Sequence, residues 1–319
     1  MESLHWLFDR LRNLPGAVFR ILGGFAALLF LLYFPLGYLV YHTVDDSPNF
    51  MPDATFSVVG GSHAVAITTA LIHRETVTHH WVPNDPFFYP TALMERMPAF
   101  QAGLISALSR FTIELADQLG RTRGSSQIDP DLDKAMGLLK YPPDIWVFDF
   151  PSSLIPTAPS ENRYKAAMEA LTTYNLRLAR KEAVLERRAD NLQAVLERIT
   201  SDLGSASAAI ANYVETTRDD WLNTSSDILY YDIKGRMVAY YLILQALEKD
   251  FAIVVQDKQL QTAWEQMLSS LHEGMQLSNF FIFTAPPDSQ FFPNHLTAQG
   301  FYLLRARTQL KEISNILLK

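Results

Sequence analysis

The residues with the clearest chemical potential are histidines. His63, His73, His79 and His80 crowd one short stretch, with Glu75 and Asp85 beside them. Neutral imidazoles and carboxylates together are ligands for zinc or a similar transition metal, and a metal-bound water would make a hydrolase. The candidate ligands are His73, His79, His80 and Glu75. Their spacing matches no zinc motif such as His-Glu-x-x-His, and adjacent His79 and His80 point apart in any regular element. The expectation is therefore no metal and no cofactor. A second set, Arg110, Glu114, Asp117 and Arg121, recurs at helical spacing. Glu114 and Asp117 could act as paired carboxylates in acid–base work. The interleaved arginines would hold both ionised, so the spacing predicts a salt-bridge ladder.

Other signatures are weaker. Gly60-Gly61-Ser62 and Arg123-Gly124-Ser125-Ser126 follow no phosphate-binding fingerprint, and no Gly-x-Ser-x-Gly elbow is present. The chain has no cysteine, which excludes disulfides, thiolate metal sites and cysteine nucleophiles. No catalytic residue is assigned. A net charge of −7 argues against a nucleic-acid surface. An apolar fraction of 48% in 319 residues supplies a real core.

The elements that would carry these residues begin with an apolar run. Ile21 to Tyr41 (ILGGFAALLFLLYFPLGYLVY) contains no charge and is long enough to span the roughly 30 Å hydrocarbon layer of a bilayer. Tyr33, Tyr38 and Tyr41 supply interfacial rings toward its end, and Pro35 would kink it. Arg10, Arg12 and Arg20 precede the run. Asp45, Asp46 and Asp53 follow it, and no Lys or Arg returns until Arg74. By the positive-inside rule residues 1–20 are cytoplasmic, residues 21–41 are an uncleaved anchor, and the rest is translocated. Gly23 and Ala27 form a small-residue pair that would admit a second copy, so a homo-oligomer is a candidate state.

Residues 42–60 read as a linker. Residues 61–150 read as a first helical subdomain, with Ser62 capping a helix, another from Pro98 to Leu119 ending at Gly120, and a short one after Asp129-Pro130. Within it, Trp81 to Pro90 (WVPNDPFFYP) is too rich in proline for a helix, and its rings predict a loop plugged into the core. Residues 151–319 read as a long-helix hairpin and a C-terminal bundle. Leu171, Leu178, Leu185, Leu192 and Ile199 fall at seven-residue spacing, the mark of a long helix with a narrow apolar seam. The seam would pair within one chain or between chains, with Gly204 interrupting the helix. Further helices are predicted over Ser226–Phe251, Asp257–Leu277 and Thr297–Leu318, with a proline-rich connection from Phe280 to Asn294. The fold class is all-α: one transmembrane helix, then a helical bundle with a long heptad-patterned helix.

The strings WVPNDPFFYP, MPAFQAGLISALSRFTIELADQLGRTRGSS and YPPDIWVFD resemble a family of membrane-anchored bacterial proteins found largely in proteobacteria and known as a domain of unknown function. The resemblance implies a Gram-negative inner-membrane setting with the C-terminal part periplasmic. It implies no site and no cofactor.

The expected function is an envelope scaffold, adaptor or assembly factor that contacts the bilayer through residues 21–41 and binds another protein. Leu171, Leu178, Leu185, Leu192, Trp81, Phe87 and Phe88 are the candidate partner residues. The enzymatic alternative is a metal-assisted hydrolase of an envelope substrate. A third reading is a periplasmic ligand sensor that works through a membrane partner, with Trp81 to Pro90 lining its pocket.

Overall fold

A computed structural model of the chain describes residues 16–120, 128–148, 155–217, 225–277, 282–284 and 293–319. The Arg123–Ser126 turn, Arg121, most of the N-terminal tail and most of the Phe280–Asn294 connection lie outside the described residues. Ten α-helices are present among the described residues, with no strand beyond an isolated Thr284–Asn294 bridge. They are α1 (Gly16–Tyr41), α2 (His63–His73), α3 (Arg96–Glu114), α4 (Pro130–Leu139), α5 (Ser160–Ala179), α6 (Ala189–Thr216), α7 (Ser225–Asp250), α8 (Ala252–Asp257), α9 (Gln261–Gln276) and α10 (His295–Leu317). The chain is all-α, and it divides into two compact units.

One unit joins Met1–His42 to Pro86–Met94. Its helix α1 runs unbroken through Pro35 and leaves Ile21, Phe25, Leu31 and Leu39 exposed over more than half of their surface. The other unit comprises Thr43–Asp85 and Glu95–Lys319. Its central pair is α3 and α7, and two glycines set their distance. A methyl group on Gly103 would sit 2.0 Å from the Asp232 carbonyl, and one on Gly235 would sit 2.1 Å from the Phe100 carbonyl. Each glycine thus lets its helix touch the backbone of the other. Around this pair α6 lies along α10, α9 along α10 and α7, α4 along α5, and α2 between α5 and α7.

Local chemistry explains the helix starts. Ser62 accepts the Val65 amide and donates to Asp250, whose carboxylate also receives the amides of His63 and Ala64, both at 2.9 Å. An anion at a helix N-terminus satisfies donors that have no partner within the helix. Asp129 caps α4 through Asp131, and Asn294 caps α10 through Thr297. The largest buried rings have polar partners as well. The hydroxyls of Tyr164, Tyr174 and Tyr230 donate to the carbonyls of Tyr141, Val184 and Leu277 at 2.7, 2.7 and 2.8 Å. The Trp264 indole donates to Leu244.

The seven-residue series is shared between two helices rather than carried by one. Helix α5 ends at Ala179 in a Schellman motif: Glu182 N–H donates to the Arg177 carbonyl at 2.8 Å, and Lys181 N–H to Leu178 at 3.0 Å. Lys181 takes the left-handed conformation, φ 63°, that glycine usually supplies. Leu171 and Leu178 belong to α5, Leu185 to the connection, and Leu192 and Ile199 to α6. Gly204 does not interrupt α6. It leaves room for the Arg307 guanidinium of α10, which a methyl group would approach to 3.1 Å.

Both α2 and α3 close with a π-turn, over Arg74–Thr78 and Leu115–Leu119. Their five-residue bonds are explicit: His79 N–H to the Arg74 carbonyl at 2.7 Å, and Gly120 N–H to the Leu115 carbonyl at 2.8 Å.

Candidate functional site

The first π-turn places a buried charge cluster where the histidines were expected to gather. Arg74 and Glu75 are both buried and pair at 2.7 Å. Gln101 of α3 reaches Glu75 Oε2 at 3.2 Å, and His79 Nδ1 lies 3.7 Å from the same carboxylate oxygen. Burial pushes the Glu75 carboxyl up, but Arg74 and His79 together overcome it and hold it below its ordinary value. Arg74 also faces Asp45 at 3.3 Å and stacks over the Phe50 ring. Asp46 pairs with the buried Lys234 at 2.6 Å, and Gln276 donates to the Asp46 carbonyl. The segment read as a linker is therefore tied along the helices by two ion pairs.

The histidines do not converge. His63 faces Asp250, His73 packs on Phe56, His79 sits by Glu75, and His80 bonds Asp85 at 2.9 Å. The bond to Asp85 raises the His80 pKa against the opposing pull of burial. Among the described residues no group of three or more metal-ligating side chains comes together.

Of the predicted ladder along α3, Arg110 and Glu114 pair with another helix, and Arg121 lies outside the described residues. Arg110 meets the buried Asp202 of α6 at 2.6 Å, and Glu114 meets Arg198 of α6 at 3.0 Å. Packing of α6 along α3 brings charged partners closer than helical spacing does. Asp202 also pairs with Arg236 at 3.3 Å and accepts the Tyr240 hydroxyl at 2.8 Å. Burial drives the Tyr240 hydroxyl well above its ordinary value, and the Asp202 charge adds to it. These groups are mutually compensated and act as structural fasteners. The sequence reading missed Asp202 and Lys234; Lys234, set among apolar residues of the predicted helix Ser226–Phe251, was the available signal for the second.

The candidate partner residues separate into two kinds. Leu171 and Leu192 are fully buried, and Leu178, Leu185 and Trp81 nearly so. Such side chains offer no face to a partner while the fold is intact. The Trp81 indole donates to the Pro143 carbonyl at 3.1 Å, so the first half of WVPNDPFFYP does plug the core. Phe87 and Phe88 do not: they are 86% and 50% exposed. Their loop lies against α1, where the Tyr33 hydroxyl donates to the Phe88 carbonyl at 3.1 Å and Gly37 is covered by Pro90.

A cleft of about 360 Å³ opens beside the tied segment. Phe50, Met51, Ile67, Leu242 and Leu268 give it apolar walls, and His63, Gln245, Glu248 and Lys249 supply polar groups. That size and mixture suit a small amphipathic molecule. No residue of Trp81–Pro90 lines it.

Fold and site define a class first: an all-α protein carrying one N-terminal helix, Arg20–Tyr41, long and apolar enough to cross a membrane. The family follows from comparison. The model of the domain of unknown function 2333, described as an uncharacterised protein conserved in bacteria, matches residues 53–224, and the chain belongs to that family. No curated protein and no solved structure matches it.

Proposed function

We propose that the chain is a single-pass inner-membrane protein, cytoplasmic at its N-terminus, whose helical unit stands in the periplasm and binds another envelope protein as a scaffold, adaptor or assembly factor. The observation that carries the reading is α1: an exposed helix without charge from Ile21 to Tyr41, with Arg20 just before that run and Asp45, Asp46 and Asp53 after it. A phosphatase reporter fused after Lys319 should be active and a cytoplasm-dependent fluorescent reporter dark. The reverse pattern rejects the topology.

The binding half rests on α10. Phe301 and Leu304 are 60% and 51% exposed and stand one helical turn apart. Such a pair forms a small apolar patch, suited to an apolar face on a partner. A photocrosslinker at Phe301 should capture a defined partner in cells, and Leu304→Asp should abolish the adduct without lowering the melting temperature. An adduct insensitive to Leu304→Asp counts against this surface. Adducts between two copies would make the partner a second chain.

A sensor reading is favoured by the cleft beside Pro48–Pro52 rather than by Trp81–Pro90. Filling it with Ala246→Trp should silence a sensor and leave a pure adaptor working. A phenotype unchanged by the substitution removes the sensor reading.

A further inference from the structure

We infer that Pro86–Met94 is a second membrane element, a shallow loop that enters the lipid leaflet through which α1 emerges. This rests on the reading of α1 as a membrane span. The first argument is depth. The loop touches α1 at Tyr33 and Gly37, inside the apolar run that ends at Tyr41. At 1.5 Å per residue these contacts lie about 12 and 6 Å before the end of the helix. A loop seated there shares the depth of the span's last turns.

The second argument is what the loop shows to its surroundings. Phe87, Leu93, Phe88 and Tyr89 are 86%, 73%, 50% and 37% exposed. No charge occurs between Asp85 and Glu95. A contiguous exposed apolar set of this kind marks an interaction surface, and a mixture of phenyl and phenol rings fits the boundary between headgroups and acyl chains.

The third argument is the backbone. Lipid tolerates a non-helical segment only where its polar groups are satisfied within the protein. The loop folds into three successive turns, closed by Tyr89 N–H to Pro86, Ala92 N–H to Tyr89 and Met94 N–H to Thr91, at 2.8, 3.1 and 2.8 Å. Pro86 and Pro90 have no N–H to satisfy. The Tyr33 hydroxyl caps the Phe88 carbonyl. The sequence thus removes donors, closes others into turns, and takes a further hydrogen bond from the span itself.

The absence of native cysteine makes a clean test. Single-cysteine variants Phe87→Cys, Leu93→Cys and, as a depth reference, Leu31→Cys would be spin-labelled in the full chain. Each is reconstituted into nanodiscs of phosphatidylethanolamine and phosphatidylglycerol. Collision with oxygen, which partitions into lipid, is compared with collision with a water-soluble nickel chelate. The expected result is oxygen-dominated relaxation at all three sites, with positions 87 and 93 shallower than 31. Nickel-dominated relaxation at 87 and 93, with 31 in lipid, overturns the loop proposal and leaves the span standing. Shielding of 87 and 93 from both reagents also overturns it, since a protein surface then covers the loop. Nickel access at 31 overturns the span reading and this inference with it.

Discussion

Helices α1 and α7 have the same length, 26 residues, and both are dominated by large apolar side chains. Their surroundings are opposite. Almost nothing on α1 is covered, whereas seventeen residues of α7 are buried. From Ile21 on, α1 carries no charge, whereas α7 buries Lys234 and Asp250 and half-buries Asp232 and Arg236. The difference shows what a protein interior can supply and a lipid interior cannot. Lys234, Arg236 and Asp250 each meet an opposite charge or a helix N-terminus from another segment, and Asp232 pairs with Arg236 on α7 itself. A helix facing hydrocarbon has no such neighbours and must stay neutral. Gly235 and Gly23 follow the same division, whereas Gly37 of α1 is covered by Pro90. On α7 Gly235 is pressed against a backbone, and on α1 Gly23 has nothing within 4 Å.

The hardest strain on this comparison is Asp202→Ala. It strips Arg236 and the Tyr240 hydroxyl of their shared partner, and breaking a buried pair from one side costs about 3–5 kcal/mol. Urea unfolding of the detergent-solubilised chain should show that loss; a change near zero would mean that these charges are not supported by burial. Leu31→Lys tests the other helix. A lysine at the centre of a span is disfavoured by about 3 kcal/mol, so the fraction of chain resisting alkaline extraction from membranes should fall. Full retention would mean that α1 does not lie in hydrocarbon.

A paired glycine substitution gives a smaller and sharper contrast. Gly235→Ala should destabilise the helical unit by about 1–3 kcal/mol, through overpacking against the Phe100 carbonyl. Gly23→Ala should leave stability unchanged or slightly raised, because alanine favours the helix and meets no neighbour. Equal effects would dissolve the distinction. The smallest effect lies at the His80–Asp85 pair, which is only half-buried and is the surface counterpart of the α7 pairs. The folded-state pKa of His80 is raised above 6.5, so the folded state binds the proton more tightly than the unfolded chain. The resulting stability is fully present below about pH 6.5 and is lost as pH rises through the raised value. The gap in urea midpoint between the native chain and His80→Ala should therefore narrow with rising pH, and a gap that widens would contradict the assignment.

The all-α class, α1 and the caps at Ser62 and Asp129 were legible because each follows from local pattern. The break after Ala179 was not, because Lys181 occupies a position where only glycine or asparagine would have announced the turn. The pairing of Arg110 and Glu114 was misassigned for a related reason. Helical spacing shows which charges share a face, but the nearer partners come from α6, distant in sequence. WVPNDPFFYP was half legible. Aromatic content announces that rings need cover, and Trp81 finds it in the core; composition alone does not distinguish a protein interior from the surface that Phe87 and Phe88 offer.

The two π-turns carry a consequence for chain length. A π-turn holds one residue more than an α-turn between the same exits. Deleting a residue from the middle of an α-helix rotates everything after it by about 100° and misplaces every later contact. At Arg74–Thr78 the surplus residue is already there. The half-exposed Val77 lies within that turn, and its removal lets His79 close the ordinary α-bond to the same Arg74 carbonyl while Glu75 keeps its place before the lesion. At these two positions the fold has slack in its length, a tolerance to shortening that the crossing of α3 and α7 at Gly103 and Gly235 does not share.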